Sequence, residues 1–155
     1  MDVLSRAIAA LPEVQELLLN LDAGRSPVAV SGLSPVHRAL IAAALHHSSQ
    51  RPIVLLCADE GEATRMAGDL QTLTEETPAL LFAREWQLRD RVSASHSFEQ
   101  QRLGTLFELS RGHAPVLVAT VDGMMQRTLP PVALRDAAFS LRPGVPYICH
   151  RKSNP

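Results

Sequence analysis

Along the first twenty residues the apolar positions recur at spacings of three and four. Leu4, Ile8, Leu11, Val14, Leu18 and Leu21 share one face of a helix. Pro12 falls inside this pattern, where its ring removes an N–H and fixes φ, so a break into two shorter helices is predicted. Residues 22–26, Asp-Ala-Gly-Arg-Ser, follow as a turn. The period then changes. Pro27, Val28, Ala29, Val30 and Ser31 form a nearly continuous apolar run, the pattern of a strand buried on both faces. Ser34 is placed to cap a helix with Pro35 at its first position, and the apolar run 39–45 continues it.

The same unit repeats down the chain. Ile53, Val54, Leu55, Leu56 and Cys57 predict a second buried strand, and Asp59 caps a helix that carries Ala63, Met66, Ala67 and Leu70. A third strand is predicted at 79–82. Residues 83–96 have mixed charge and little period, which predicts a long loop. Ser97 with Gln100 has the spacing of a capping box, opening a helix through Leu103, Leu106, Phe107 and Leu109. Residues 115–120 predict a fourth strand and 121–127 a short helix. After Leu129, Pro130 and Pro131, residues 132–136 suit one helical turn and 137–141 a strand leaving the domain. Residues 145–155 have no period and are expected to be poorly ordered.

Strands alternating with helices imply parallel pairing through right-handed crossovers. The predicted fold is therefore α/β: a parallel β-sheet of strands at 28–30, 53–57, 80–82 and 116–119, with helices on both faces. Three segments follow: an N-terminal helical segment at 1–26, an α/β subdomain at 27–136, and at 137–155 the start of a next domain or a truncated tail.

Composition narrows the classes of function. The 155 residues carry a formal net charge of −1, without the basic surplus of a strongly DNA-binding domain. Aromatics make up 4%, leaving few stacking platforms for single-stranded nucleic acid. The 46% hydrophobic content is that of a folded domain. No apolar run approaches the length of a membrane-spanning helix, and residues 1–6 lack a secretory signal pattern. Two cysteines, Cys57 and Cys149, without metal-type spacing, suit a reducing compartment, so a cytoplasmic location is expected.

The informative position is the first strand-to-helix turn, residues 30–39. A phosphate-binding loop, G-x-x-x-x-G-K-[ST], occupies this place in nucleotide hydrolases. Gly32 matches its first glycine. The second glycine falls on His37, the lysine on Arg38 and the hydroxyl residue on Ala39. Ala39 has no hydroxyl for Mg²⁺, His37 adds a Cβ where close backbone approach is needed, and Pro35 removes a donor. Nucleotide binding is thus disfavoured against two alternatives, which the turn alone does not separate: an ordinary helix start capped by Ser34, and a phosphate loop since emptied. No G-x-G-x-x-G follows any strand.

Other candidate groups carry weaker signals. His46 and His47 are adjacent on a helix, so their rings diverge and suit a solvated helix end better than a metal. Ser34 and His37 lie one turn apart without the elbow of a hydrolase nucleophile. Asp59-Glu60 favours the positive end of a helix, and Glu75-Glu76 is a second carboxylate pair at a helix end. Arg84, Arg89, Arg91 and Arg102, with Trp86, make a basic cluster, but neighbouring acids reduce its charge, so a solvated loop is expected.

Several stretches together resemble one family. Pro27-Val-Ala-Val-Ser-Gly-Leu-Ser, Arg51-Pro-Ile-Val-Leu-Leu-Cys-Ala-Asp-Glu-Gly-Glu-Ala, Phe82-Ala-Arg-Glu-Trp, Ser97-Phe-Glu-Gln-Gln-Arg-Leu-Gly-Thr-Leu-Phe-Glu-Leu and Val116-Leu-Val-Ala-Thr-Val-Asp-Gly-Met-Met-Gln-Arg-Thr-Leu-Pro-Pro are similar, in order and spacing, to the N-terminal part of bacterial transcription-repair coupling factors (Mfd). That region in turn resembles the excision-repair subunit UvrB, as does Ala138-Phe-Ser-Leu-Arg-Pro-Gly. The resemblance implies a RecA-like, P-loop-NTPase-like three-layer fold with a degenerate phosphate loop, in a UvrB-like module without catalysis. Gly32, Ser34, His37, Arg38 and Ala39 would be the remnant of that loop, with no cofactor and no metal bound. For the whole protein the resemblance implies an ATP- and Mg²⁺-dependent DNA translocase that displaces stalled RNA polymerase and recruits nucleotide-excision repair through UvrA. The partners implied are RNA polymerase, UvrA, DNA and the protein's own further domains. In the family the sheet gains strands from later sequence, so an open edge with a tendency to self-associate is expected here. Past Gly144 the chain departs from the family pattern, as a truncation or frameshift would produce. Against this reading stand an active nucleotide-binding enzyme with an atypical loop and a free-standing interaction module.

Overall fold

The computed structural model describes residues 3–74, 76–83 and 96–138. The N-terminal periodicity forms two helices, α1 (Val3–Ala9) and α2 (Pro12–Asp22), broken where Pro12 enters at the first turn of the second. Val14 and Leu17 are the buried residues of α2. Both helices pack on α3 (Pro35–Ser49). Ser34 caps α3 as predicted, its Oγ accepting the N–H of His37 at 3.3 Å, with Pro35 at the first position. The helix ends at Gln50, whose φ of 55° places a non-glycine residue in the left-handed region.

Then come β1 (Ile53–Cys57), α4 (Glu60–Thr74), β2 (Ala79–Leu81), α5 (His96–Ser110), β3 (Val116–Thr120), α6 (Val121–Met125) and α7 (Pro131–Ala137). The three strands are parallel in the order β1-β3-β2, with Leu55 opposite Val118 and Leu80 also opposite Val118. The fold is α/β with helices on both faces, as the alternation predicted. The chain steps from β1 past β3 to β2 through α4, then back to β3 through α5. Since the step reverses direction, crossovers of the same hand place α4 and α5 on opposite faces.

Two cores result. On one face Ala39, Ala42 and Ala43 of α3 and Ala63, Met66, Ala67 and Leu70 of α4 close on Cys57, Val116 and Val118. The contribution of α3 is all alanine, and the larger side chains of this core, Met66 and Leu70, come from α4. On the other face Leu106 and Leu109 of α5 cover Leu81, Leu117 and Ala119. All five residues of β3 are buried, which matches its unbroken apolar run.

Three expectations need correction. Residues 28–30 are not a strand: the segment joins no ladder among the described residues, and Val28 and Val30 are 37% and 51% exposed. An apolar run becomes a buried strand only beside a pairing edge, and among the described residues no strand pairs with the outer edge of β1 to reach it. Helix α5 begins at His96, so Ser97 lies inside its first turn and does not precede it as a cap. Arg102 sits on α5, half-buried, and not on a solvated loop. The remaining members of its predicted cluster, Arg84, Trp86, Arg89 and Arg91, lie outside the described residues, as do most of the 83–96 loop, Glu75, the strand expected beyond Ala138 and the 145–155 tail.

Candidate functional site

The turn before α3 is where sequence reasoning placed the phosphate-loop remnant. Gly32 has φ +78°, a left-handed conformation that favours glycine, although a Cβ there would meet open space. Ser34 and His37 are engaged by the cap, and the Arg38 N–H begins the helix by donating to the Ser34 carbonyl at 3.0 Å. Ala39 is fully buried in the first core, turned away from the loop.

Arg38 does not stand free at the helix start. Its Nη2 lies 2.8 Å from Glu62 Oε1 on α4. The other oxygen, Glu62 Oε2, accepts the N–H of Ala58 at 3.0 Å, and the Glu62 N–H donates to Asp59 Oδ1 at 2.7 Å. Asp59 thus caps α4 as predicted, and Glu62, three residues on, reaches back across the cap. The Ala58 N–H, followed by the Arg38 guanidinium, holds the Glu62 carboxyl below the usual glutamate range. Beneath this cluster burial pushes the Cys57 thiol up, with Glu62 adding to the shift, which disfavours its thiolate.

Beside the cluster runs a groove of about 490 Å³ whose charged lining is Asp59, Glu62, Asp69 and Arg65. With Glu62 paired to Arg38, Asp59 and Asp69 against Arg65 leave the groove a slight negative excess. Sequence reasoning found Gly32, Ser34, His37, Arg38 and Ala39 but missed Glu62, the residue that occupies Arg38. The available signal was the Asp59-x-x-Glu62 spacing, a capping pattern at the next strand-to-helix turn.

Elsewhere, His46 and His47 sit in the last turn of α3 as expected. His46 is less solvated than predicted: its Nδ1 lies 3.1 Å from the Arg51 carbonyl oxygen and its Nε2 3.7 Å from Glu76 Oε2. Among the described residues no group of three His, Cys, Asp or Glu side chains converges as a metal site, and no helix is long and apolar enough to cross a membrane.

Compared with known proteins, the chain is 29% identical over 133 residues to the transcription-repair-coupling factor of Bacillus subtilis (strain 168), a match covering 85% of this chain and 11% of that protein. It is 30% identical over 125 residues to the transcription-repair-coupling factor of Myxococcus xanthus, covering 76% of this chain and 10% of that one. The chain is a sequence relative of the transcription-repair-coupling factors. It spans about a tenth of the length of the curated coupling factors it matches. No family model and no solved structure matches it. The alignment to the coupling factors extends over most of the chain, so it includes the sheet and is not confined to one motif.

Proposed function

We infer that this chain is a non-catalytic structural module of a transcription-repair coupling factor, a UvrB-like first module in which the phosphate loop has been emptied. The observation that carries the reading is the Arg38–Glu62 pair. The one cation left at the position of the phosphate-contacting lysine is neutralised by a carboxylate that is itself fixed by the Ala58 N–H. A nucleotide would have to displace that carboxylate to reach Arg38, and would then lie beside a groove whose remaining charges, Asp59 and Asp69 against Arg65, offer its phosphates no net attraction. Ala39 is buried and offers no hydroxyl to a Mg²⁺ ion.

In this reading the module contributes packing surface to a DNA translocase that displaces stalled RNA polymerase and recruits excision repair through UvrA. ATP and Mg²⁺ are used by motor segments outside this chain. Calorimetry with Mg·ATP on the full chain tests it. No saturable heat is expected at millimolar nucleotide. Micromolar binding lost in Arg38→Ala would overturn the reading and favour an enzyme with an atypical loop.

A further inference from the structure

The two oxygens of Glu62 are held by donors of different origin. Oε1 lies 2.8 Å from Arg38 Nη2 on α3, and Oε2 accepts the N–H of Ala58, the residue after β1, at 3.0 Å. A guanidinium on one oxygen and a backbone N–H on the other is a donor set that binds free anions in proteins. The Glu62 side chain is 19% exposed, so water competes for these donors only in part. Neither donor depends on Glu62 for its place. Arg38 is carried by α3, whose start is fixed by the Ser34 cap and whose alanines pack against α4. Ala58 follows Cys57, which is paired with Thr120 of β3. The first turn of α4 is anchored separately, by the Glu62 N–H on Asp59 Oδ1 at 2.7 Å. Taking away the carboxylate therefore leaves the two donors where they are.

We propose that the Arg38 guanidinium and the Ala58 N–H form a two-point carboxylate receptor, and that the Glu62 side chain is its resident ligand, closing the site from within. This receptor deepens the reading of an emptied loop and rests on it: the cation of the loop is kept, and the chain itself supplies the anion. Glu62 is tethered beside both donors, whereas a free carboxylate must also offset its lost translational freedom, so the resident ligand prevails in the native chain. The site admits a free anion once the tethered one is gone. Truncating Glu62 at Cβ removes one methylene and one carboxylate, the same heavy atoms as acetate. Acetate is thus the ligand that fits the vacated space. Phosphate fits less well, because Asp59 at the Glu62 N–H and Asp69 in the adjoining groove repel it in proportion to its larger charge.

Urea unfolding of the full chain at neutral pH, in sodium chloride, acetate or phosphate of equal ionic strength, tests it. Glu62→Ala is expected to unfold more readily than wild type in chloride. For a dissociation constant of about 50–100 mM, acetate at about 0.5 M lowers the unfolding constant of this variant about six- to elevenfold, with saturation. Wild type, its site filled, should change less than about twofold, which sets the general effect of the salt. Arg38→Ala/Glu62→Ala should respond as wild type does, and phosphate should rescue Glu62→Ala less than acetate. If Glu62→Ala unfolds in chloride, trimethylamine oxide at one concentration in every arm restores a folded baseline. Equal responses of wild type and Glu62→Ala overturn the proposal, as does a rescue that survives the loss of Arg38. Stronger rescue by phosphate than by acetate overturns the assignment of a carboxylate. Micromolar Mg·ATP binding by wild type would overturn the emptied loop and this receptor together. Failed rescue in a chain that does not bind Mg·ATP overturns the receptor alone.

Discussion

Arg102 Nη2 on α5 donates to the Gly123 carbonyl of α6 at 3.0 Å, while its Nη1 donates to the Phe82 carbonyl just past β2. One guanidinium therefore ties a helix, a strand end and a short helix together. Its planar fork reaches two carbonyls that a single ammonium would not span. Burial draws its pKa below the usual arginine value, but the group stays charged, and the two carbonyls stabilise that charge where water is partly excluded. Arg102→Ala is expected to lower stability by about 1.5–3 kcal/mol, with Arg102→Lys recovering less than half. Urea denaturation followed by circular dichroism measures both. Equal midpoints for wild type and Arg102→Ala would show that the two bonds contribute nothing net.

Gly123 gives the second prediction. Its N–H donates to Thr120 Oγ1 at 3.1 Å, and a Cβ built on it would lie 2.5 Å from the Leu81 carbonyl oxygen and 2.9 Å from the Phe82 carbonyl carbon. Both are backbone atoms, so no side chain can swing aside. Gly123→Ala should destabilise by about 1–3 kcal/mol through overpacking, although alanine is the better helix former. Gly68→Ala is the control: a Cβ there meets nothing within 4 Å, and substitution on α4 should be neutral or stabilising. Denaturation midpoints moving in the same direction for the two variants would contradict the packing argument.

The third prediction concerns pH. The Glu62 carboxyl is held below its ordinary value by the Ala58 N–H and Arg38, so its folded pKa lies under its unfolded one. The stability it supplies is fully present above the unfolded value of about 4.3 and disappears as pH falls through the folded value. Denaturation midpoints measured from neutrality down to about pH 3 should fall more steeply in wild type than in Glu62→Gln, which carries no titrating carboxyl. Parallel curves would remove Glu62 from the acid sensitivity of the fold.

A fourth concerns the start of α3. The Ser34 hydroxyl accepts the His37 N–H at 3.3 Å, a long bond, so Ser34→Ala should cost about 0.5–1 kcal/mol, the lower part of the range for such caps. Ser34→Asp keeps the acceptor and adds a charge at the positive helix end, and should restore the loss. Thermal melts of the three proteins at low salt check the order.

The periodicity of the chain exposed those features whose causes are local. Pro12 splits the N-terminal helices because its missing N–H is tolerated only in a first turn. Ser34 with Pro35, and Asp59, mark helix starts because caps act within three residues. The run 116–120 is a central strand because both of its faces are covered. What depended on distant partners stayed hidden. The apolar run at 27–31 has every local mark of a strand, but pairing is a property of the neighbouring edge, and β1 does not extend a ladder to it. Arg102 looked like one of several loop cations because its two acceptors are twenty and twenty-one residues away. At the candidate site the turn at 32–39 was legible and Glu62 was not, since its contact with Arg38 crosses from one helix to the next.

The side chains of α5 along β2 also bear on what can add to this side of the sheet. Thr105 and Arg102 fill backbone acceptors, at Leu80 and Phe82, that an incoming strand would need. Alanine at both positions would therefore do more than loosen α5: it would offer a strand-shaped neighbour two carbonyls that the native helix keeps occupied.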